Sequence, residues 1–361
     1  MARVFNFNPG PAAMPESVLR EAQSELLDYQ GSGMSVLEMS HRSPEFEEIL
    51  QDAKAVLKKL YRIPDNYSIL FLQGGATLEF AGVPMNLMFT GHAGYIVSGN
   101  WSKKAYKEAA KYGTADLLAS SAETHFDHTA TISGPVDQSL DYVYLCQNET
   151  VYGTMTKELP ETGSVDIVAD ISSMFLSCPL DISRYGMLYA GAQKNGGPAG
   201  ITVLIVRNDL LEKAPARADI CPQYLDWHVE SEKDSLLNTP NTFGIYLCGK
   251  VFHWVEKTGG LEAMGERNWT KMNKLYDEID SSKLYRGLAK PEDRSISNAV
   301  FTTGSKELDA AFVAGAKERG MVGLKGHRIL GGMRASCYNA VSPEAVDALI
   351  AYMKDFEQAN A

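Results

Sequence analysis

The sequence contains no run of about eighteen uninterrupted apolar residues, the length that a helix needs to cross a bilayer, so no membrane span is expected. Positive charge is also scarce. The 34 lysines and arginines stand against 45 aspartates and glutamates, which leaves a net charge of −11. Because a nucleic-acid backbone requires a basic surface, this balance argues against a nucleic-acid partner, while a few local arginines can still bind a small anion.

Cysteines are few and far apart in the sequence. They form no close pair, so neither a disulfide framework nor a zinc site is expected, and a reducing compartment fits. The first residues lack the basic-then-apolar pattern of a secretory signal. We therefore predict a cytoplasmic protein with no metal site. The five cysteines are Cys146, Cys178, Cys221, Cys248 and Cys337.

Short apolar segments alternate with amphipathic helical segments from residue 16 to residue 206. Such alternation is typical of a mostly parallel sheet that is covered by helices on both faces. The predicted helices are one of about fourteen residues from Glu16, 44–60, one that follows Gln73 and ends at Met88, and 102–112. The predicted strands are 68–72, 95–97, 142–145, 165–169, 185–190 and 201–206.

The pattern changes near residue 260. A charged helical stretch is followed by a predicted strand at 297–302, a helix at 307–319 and a final helix from Pro343. We therefore predict an α/β fold in three parts. These are an amino-terminal arm (1–15) that packs with the small domain, a large domain with a mostly parallel central sheet (16–260), and a smaller α+β domain (261–361).

Lys194 is the most informative residue of the chain. It lies in the segment Tyr-Ala-Gly-Ala-Gln-Lys-Asn-Gly-Gly-Pro-Ala-Gly (189–200), between two predicted strands. Small residues allow the amine to approach another molecule closely, and α/β proteins bind ligands at the carboxyl ends of their strands. Most lysines in loops are simply exposed, but the neighbours of this one favour a ligand-binding role.

Asp170 follows the predicted strand 165–169 and is expected at the same edge of the sheet as Lys194. A lysine that forms an imine and an aspartate that keeps a pyridine nitrogen protonated are the pair that pyridoxal phosphate requires. The alternative for Asp170 is a turn or helix cap ahead of Ser172 and Ser173.

Further candidates also follow strands. The turn 73–77, Gln-Gly-Gly-Ala-Thr, opens a helix, where free backbone N–H groups can bind a phosphate. Trp101 is either a core residue or a ring that stacks on a planar ligand. Thr150 can hydrogen-bond a cofactor hydroxyl. Each signal is weak alone, but their recurrence at strand ends favours one shared site.

Two His-Arg pairs lie beside glycines or small polar residues in this acidic chain. They are His41-Arg42 and His327-Arg328, and Arg334 follows the second pair closely. Guanidinium groups bind oxyanions through two parallel hydrogen bonds, so the pattern favours an anionic substrate. The alternative is a set of surface salt bridges.

Taken together, these motifs resemble those of the phosphoserine aminotransferases, a family of class V pyridoxal-phosphate enzymes. The last motif is the most specific, and the matches extend over nearly the whole chain. The matching segments are Asn-Phe-Asn-Pro-Gly-Pro-Ala (6–12), Ser-His-Arg (40–42), Gln-Gly-Gly (73–75), Asn-Glu-Thr (148–150), Ala-Gln-Lys-Asn (192–195), Leu-Asn-Thr-Pro (237–240) and Gly-His-Arg-Ile-Leu-Gly-Gly-Met-Arg-Ala-Ser (326–336).

The resemblance implies a fold-type-I homodimer with shared active sites. The implied reaction interconverts 3-phosphohydroxypyruvate and glutamate with O-phosphoserine and 2-oxoglutarate in serine biosynthesis. Activity on 4-phosphohydroxythreonine, in pyridoxine biosynthesis, is implied as well.

The resemblance also implies a role for each candidate residue. Lys194 is then the Schiff-base lysine and proton carrier, and Asp170 pairs with the pyridine nitrogen. Trp101 stacks on the ring and Thr150 meets its phenolic oxygen. The implied ligands of the cofactor phosphate are Ala76, Thr77 and Gln193, with Asn238 and Thr239 from the partner subunit. The implied ligand of the substrate α-carboxylate is Arg334. The implied ligands of the substrate's distal anion are His41, Arg42, His327 and Arg328.

Two alternatives remain open. Another class V enzyme shares the fold, but an alanine–glyoxylate-type transaminase does not need two His-Arg pairs, and a cysteine desulfurase needs a reactive cysteine on a loop. A phosphate-binding protein without covalent chemistry accounts for the arginines but not for Lys194 with Asp170. One departure from some relatives is Ala76-Thr77 in place of Gly-Arg, which leaves the distal anion more dependent on Arg42.

Overall fold

The elements follow the apolar pattern of the sequence in a computed structural model that describes residues 3–213 and 219–360. The helices are α1 Glu16–Ser24, α2 Pro44–Tyr61, α3 Glu79–Leu87, α4 Asn100–Ala109, α5 Asn208–Lys213, α6 Trp227–Glu232, α7 Thr242–Lys257, α8 Gly260–Ser281, α9 Lys306–Glu318 and α10 Pro343–Asn360. The strands are β1 Phe5–Asn6, β2 Tyr67–Gln73, β3 His92–Val97, β4 Thr114–Ser120, β5 Val143–Cys146, β6 Asn148–Glu149, β7 Thr154–Met155, β8 Ile167–Asp170, β9 Met187–Gly191, β10 Ile201–Arg207, β11 Arg286–Gly287, β12 Asn298–Thr302, β13 Met321–Val322 and β14 Met333–Ser336.

A seven-stranded sheet with the order β2-β10-β9-β8-β5-β3-β4 forms the centre of the fold. Only β10 runs against its two neighbours; the pairs β9–β8, β8–β5, β5–β3 and β3–β4 are all parallel. The predicted α/β fold with a mostly parallel sheet is therefore confirmed. Because these strands are parallel, their carboxyl ends lie at one edge, where ligands bind in such folds.

Alternate residues of the strands pack into two different cores, one on each face of the sheet. In β10, Ile201, Val203 and Ile205 face a core formed with α2 and α7. Leu204 and Val206 face a second core formed with α3 and α4. Burial on both faces explains why these strands are apolar along their whole length in the sequence.

A third core lies among α8, α9 and α10. Helix α8 connects it to the first core, since Leu261 and Met264 at its start pack in the first core while Met272 and Leu275 pack in the third. The predicted boundary between the large and the small domain, at residue 260, thus falls at the start of a helix that packs in both the first and the third core. The boundary stays a prediction.

The arm runs from the third core to the loop that carries Lys194. Strand β1 pairs in parallel with β13, and Phe7 is fully buried in the third core. The carbonyl of Pro9 accepts a 2.9 Å hydrogen bond from the Tyr338 hydroxyl. The Ala12 amide donates to the Gln193 carbonyl at 2.9 Å.

Two expectations about elements were wrong. The helix that begins at Glu16 ends at Ser24, because the Ser24 hydroxyl turns back to the Glu21 carbonyl and Leu27 beyond it is exposed with no core to pack on. Strand β4 was missed, because it is a partly exposed edge strand without a continuous apolar run. The helix bounds predicted for 44–60 and from Pro343 are confirmed to within one residue.

Among residues 3–213 and 219–360, no helix is long and apolar enough to cross a bilayer. In the same residues, no group of histidine, cysteine and carboxylate side chains is arranged to hold a metal ion.

We expect the arm to contribute to stability mainly through Phe7. Replacing Phe7 with Ala removes a fully buried ring and should lower the free energy of unfolding by about 3–4 kcal/mol. Phe5, two residues earlier, is 36% exposed, and its replacement with Ala should cost about 1 kcal/mol or less. Urea unfolding followed by circular dichroism measures both. Equal losses would contradict the assignment of Phe7 as the anchor of the arm.

Candidate active site

Lys194 lies just beyond the carboxyl end of β9, in the loop that leads to β10. Its amine donates a 3.1 Å hydrogen bond to the Thr150 hydroxyl and lies 5.9 Å from the centroid of the Trp101 ring. The side chain is half-buried. The arm packs on this loop closely enough that a Cβ added to Gly10 would lie 3.4 Å from the Lys194 side chain. The predicted trio of lysine, threonine and tryptophan is thus brought together.

Asp170 is the last residue of β8, the strand next to β9, and is 5% exposed. Its Oδ1 accepts a 2.9 Å hydrogen bond from the Ser172 amide, and the Ser172 hydroxyl accepts another from the Gly191 amide at 3.0 Å. The structure is therefore compatible with both roles predicted for Asp170, the partner of a pyridine nitrogen and the cap of a turn. One oxygen closes a turn, and the other accepts no hydrogen bond from any residue that the structure describes, so it is free for a ligand.

The turn after β2 has the features of a phosphate site. Gly74 has a φ of 101°, which favours glycine, and the amides of Gly75, Ala76 and Thr77 bind no acceptor in the described part of the chain. Three free amides in a row at the start of a helix are suited to an anion.

Gln193 lies beside the same turn. A Cβ added to Gly191 would lie 2.7 Å from Gln193 Oε1 and 3.3 Å from the Ala76 Cβ, so all three residues converge. Gln193 Oε1 and Trp101 Nε1 are buried without a partner among the described residues. Buried polar atoms normally have partners, so these orphaned groups fit a ring and phosphate held here.

Basic side chains without counter-ions surround this edge of the sheet. Arg334 is 6% exposed and donates from Nη1 to the Thr150 carbonyl at 3.3 Å, while its Nε has no partner in the described residues. Burial lowers the pKa of His327, and the charges of Arg334 and Arg328 lower it further. Lys104 adds a smaller effect of the same sign and lies 4.5 Å from the Trp101 ring centroid.

None of these four basic residues forms an ion pair with a described carboxylate. The positive charges of Arg328, Arg334 and Lys104 disfavour a charge on His327, and an anion of several charges relieves that repulsion. In a chain of net charge −11, such a cluster indicates a binding site for a polyanionic molecule.

The structure does not show His41 and Arg42 in contact with this site. They lie in the turn before α2, where the Arg42 side chain is exposed and His41 Nε2 has no partner among the described residues. Asn238 and Thr239 do lie at this edge, against Gln73 at the end of β2, whose side-chain nitrogen donates to Asn238 Oδ1 at 3.1 Å and to the Thr239 carbonyl at 3.0 Å. The roles of all these residues stay predictions.

Glu149, Lys104 and Glu79 are site residues to which the sequence assigned no role. Glu149 stands inside the Asn-Glu-Thr motif, but nothing in the motif shows that its carboxylate reaches the amide of Trp101 at 3.1 Å. Lys104 is three positions after Trp101 in α4, a spacing that places side chains on one helix face. That spacing was the sequence signal that could have placed Lys104 beside Trp101.

All five cysteines are free, and burial raises the pKa of each thiol. The pKa of Cys337, the cysteine nearest in sequence to Arg334, rises to about 12. A sulfur-accepting cysteine must ionise readily and be accessible, so none of these thiols fits that role.

Comparison with known proteins shows one family. The aminotransferase class-V family matches residues 4–349. A phosphoserine aminotransferase from Lysinibacillus sphaericus is 49% identical over 359 residues, covering 99% of this chain and 98% of the relative.

Solved structures give the same result. The phosphoserine aminotransferase of Bacillus circulans subsp. alkalophilus superposes with a TM-score of 0.96 at 42% identity, covering 99% of both chains. A structure that records radiation damage of the Schiff base in phosphoserine aminotransferase superposes with a TM-score of 0.94, also at 42% identity, covering 99% of this chain and 100% of that one.

Glu79, in the first turn of α3 just after the phosphate turn, is 1% exposed. Burial, followed by the charge of Asp170, raises its pKa to about 8. The folded protein therefore binds a proton that the unfolded chain, with its ordinary pKa of 4.5, has released at neutral pH. A neutral Glu79 also avoids repelling an anion in the turn.

Replacing Glu79 with Gln should raise the free energy of unfolding by about 2–3 kcal/mol at pH 7, because the variant has no proton to take up on folding. The gain should shrink as the pH falls and approach zero below about pH 4.5, where wild-type Glu79 becomes protonated in the unfolded state as well. Urea unfolding at several pH values measures it. Replacing Glu45, an exposed residue in the first turn of α2, with Gln should give no such gain. A pH-independent difference for Glu79→Gln would contradict the buried neutral carboxyl.

Proposed function

Because this chain belongs to the aminotransferase class-V family, we propose that it interconverts 3-phosphohydroxypyruvate and glutamate with O-phosphoserine and 2-oxoglutarate. It is a fold-type-I enzyme, and its cofactor is pyridoxal phosphate. The observation that carries the proposed substrate is the cluster of basic groups without counter-ions beside the Lys194–Thr150 contact. The similarity to phosphoserine aminotransferases over 99% of the chain supports the same substrate.

The residues present fit the cofactor. Trp101 and Thr150 would hold its ring, the free oxygen of Asp170 its pyridine nitrogen, and Gln193 with the amides of Ala76 and Thr77 its phosphate. When bound, the cofactor supplies a carbon that takes up the amino group and a ring that accepts electrons.

Lys194 Nζ is the proposed proton carrier. It removes the proton from the Cα of the amino-acid substrate and later returns one to the product. The hydrogen bond to the Thr150 hydroxyl holds the amine in place. Since the Thr150 carbonyl also accepts from Arg334, a substrate carboxylate on Arg334 would place its Cα near that amine.

The distal anion selects the substrate. The charges of Arg334 and Arg328 both act on His327, which supports the proposal that His327 and Arg328 bind the phosphate of O-phosphoserine or the side-chain carboxylate of glutamate. A phosphate carries more charge than a carboxylate, which favours phosphorylated substrates. Activity on 4-phosphohydroxythreonine, which has the same two anionic ends, is part of the proposal.

Completion of the site by a second subunit is also proposed. The exposed Arg42, Asn238 and Thr239 are suited to reach a neighbouring site, and His41 is proposed to act beside Arg42. Leu27 and Leu37, in the segment before His41, are 84% and 62% exposed, which supports an interface there. The cytoplasmic location stays a prediction.

The proposed substrate is tested by a transamination assay. With pyridoxal phosphate present, O-phosphoserine and 2-oxoglutarate should yield glutamate, 4-phosphohydroxythreonine should also react, and serine and alanine should react far more slowly. Equal or faster turnover of alanine with glyoxylate would contradict the proposal and favour a transaminase for small substrates.

The anion site is tested by Arg328→Gln. Loss of the guanidinium should raise the KM for O-phosphoserine by about tenfold or more, and that for glutamate by less, because the phosphate carries more charge. Arg286→Gln, a change at an exposed arginine of β11, is the control and should leave both KM values unchanged. An equal effect on the two substrates would argue against distal-phosphate binding by Arg328.

Covalent attachment is tested at Lys194. Borohydride should fix the cofactor on the peptide that contains Lys194 in wild-type enzyme, and Lys194→Ala should lose both this adduct and at least about a thousandfold in kcat. Lys157→Ala, at an exposed lysine, should retain both. An adduct on another lysine would overturn the assignment.

A further inference from the structure

Helix α4 carries Trp101, and the carboxylate at its amino end comes from a distant strand. Glu149 Oε2 accepts a 3.1 Å hydrogen bond from the Trp101 amide. Its Oε1 accepts two more, from the Ser102 amide at 2.8 Å and the Ser102 hydroxyl at 2.7 Å. Glu149 itself is 1% exposed. Two backbone amides that a helix start leaves unpaired are thus satisfied by one buried side chain.

Four other helices of this chain are capped by the side chain of the residue that directly precedes them. Ser43, Asp226, Asn241 and Ser305 do so for α2, α6, α7 and α9. Helix α4 follows Gly99, which has no side chain. A Cβ on Gly99 would lie 2.4 Å from the Glu149 Cδ, so the glycine leaves the space that the carboxylate occupies. The cap of α4 is therefore supplied by a residue distant in sequence, and Gly99 provides the space that it needs.

The capping residue is also next to the contact of the proposed proton carrier. Thr150, which follows Glu149, accepts from Lys194 through its hydroxyl and from Arg334 through its carbonyl. Hydrogen bonds of 3.1 Å on both sides of the Glu149–Thr150 peptide thus link the backbone amide of Trp101 to the amine of Lys194. A local cap such as Ser43 in α2 would hold the helix but could not make this link.

We infer that Glu149 is a positioning residue that sets the orientation of the Trp101 ring relative to Lys194 and Thr150. The inference rests on the proposed function, since the ring is the one expected to stack on the cofactor. Burial raises the pKa of Glu149, and the three donors oppose that effect by stabilising the carboxylate.

Glu149→Gln is the direct test. A carboxamide has one acceptor oxygen, so in either orientation it leaves one of the two helix amides without an acceptor. The enzyme loaded with pyridoxal phosphate should show an altered visible circular dichroism band, which reports the orientation of the bound ring in its site. The kcat for O-phosphoserine should fall about ten- to hundredfold, with the KM little changed.

A double-mutant cycle shows whether Glu149 acts through Trp101. In a Trp101→Ala background no ring remains to be oriented, so adding Glu149→Gln should reduce kcat by less than about twofold. A full additional loss in that background would overturn the inference.

Two control variants separate positioning from capping. Ser102→Ala removes the hydrogen bond from the Ser102 hydroxyl to Glu149 and those that this hydroxyl accepts from the Ser98 and Gly99 amides, but it leaves the Trp101 amide paired. Asp141→Asn changes a carboxylate at the opposite end of the sheet, where it accepts hydrogen bonds from the Thr90 and His92 amides. Both should lower the unfolding temperature without changing the dichroism band. If Glu149→Gln likewise changes only the unfolding temperature, Glu149 is a cap and the inference is wrong.

Gly99→Ala is a second variant, for use if Glu149→Gln fails to fold. It keeps the Glu149 carboxylate but displaces it, so it should also alter the dichroism band. A wild-type band there would overturn the inference. Wild-type inactivity on O-phosphoserine would instead refute the proposed function, and the dichroism comparison would still report on Glu149.

Discussion

The site depends on one buried segment, Asn148 to Thr150, which is 1–3% exposed at each residue. Three polar residues in succession can be buried only if each finds partners, and each does. Thr150 holds the lysine and the arginine, and Glu149 holds the start of the tryptophan helix. Asn148 binds Asn298 of β12 and accepts from Ser295, which tie the sheet edge to the third core. The same short segment thus positions Lys194, Arg334 and Trp101 and also attaches the central sheet to the third core.

This arrangement explains why the chain needs its carboxyl-terminal part for chemistry that the central sheet carries. Arg334 lies on β14, whose neighbouring residues Met333 and Ala335 pack in the third core, and its guanidinium group donates to the Thr150 carbonyl. The arm contributes from the other side, where its backbone bonds to Gln193 next to Lys194. A polar network of this kind is strong when complete and costly when one member is lost.

The sequence predicted the sheet and the positions of Lys194, Asp170, Trp101 and Thr150 at strand ends, because buried strands are apolar throughout and small residues mark close approach. It did not predict the contacts of Glu149, since a cap supplied from 47 residues away leaves no local signal. The neutral state of Glu79 was hidden for a similar reason: it follows from burial and from Asp170, which is distant in sequence. Strand β4 and the end of α1 were misjudged where exposure, and not apolar pattern, decided the structure.

The basic groups without counter-ions and the lysine beside Thr150 together support the central proposal, that the chain binds an amino acid with two anionic groups and its Cα next to Lys194. The most direct measurement is a crystal structure of the enzyme with pyridoxal phosphate and O-phosphoserine. The account predicts the cofactor between Trp101 and Asp170, the substrate carboxylate on Arg334 and the phosphate on His327 and Arg328. A cofactor bound away from Lys194, or a phosphate bound elsewhere, would contradict it.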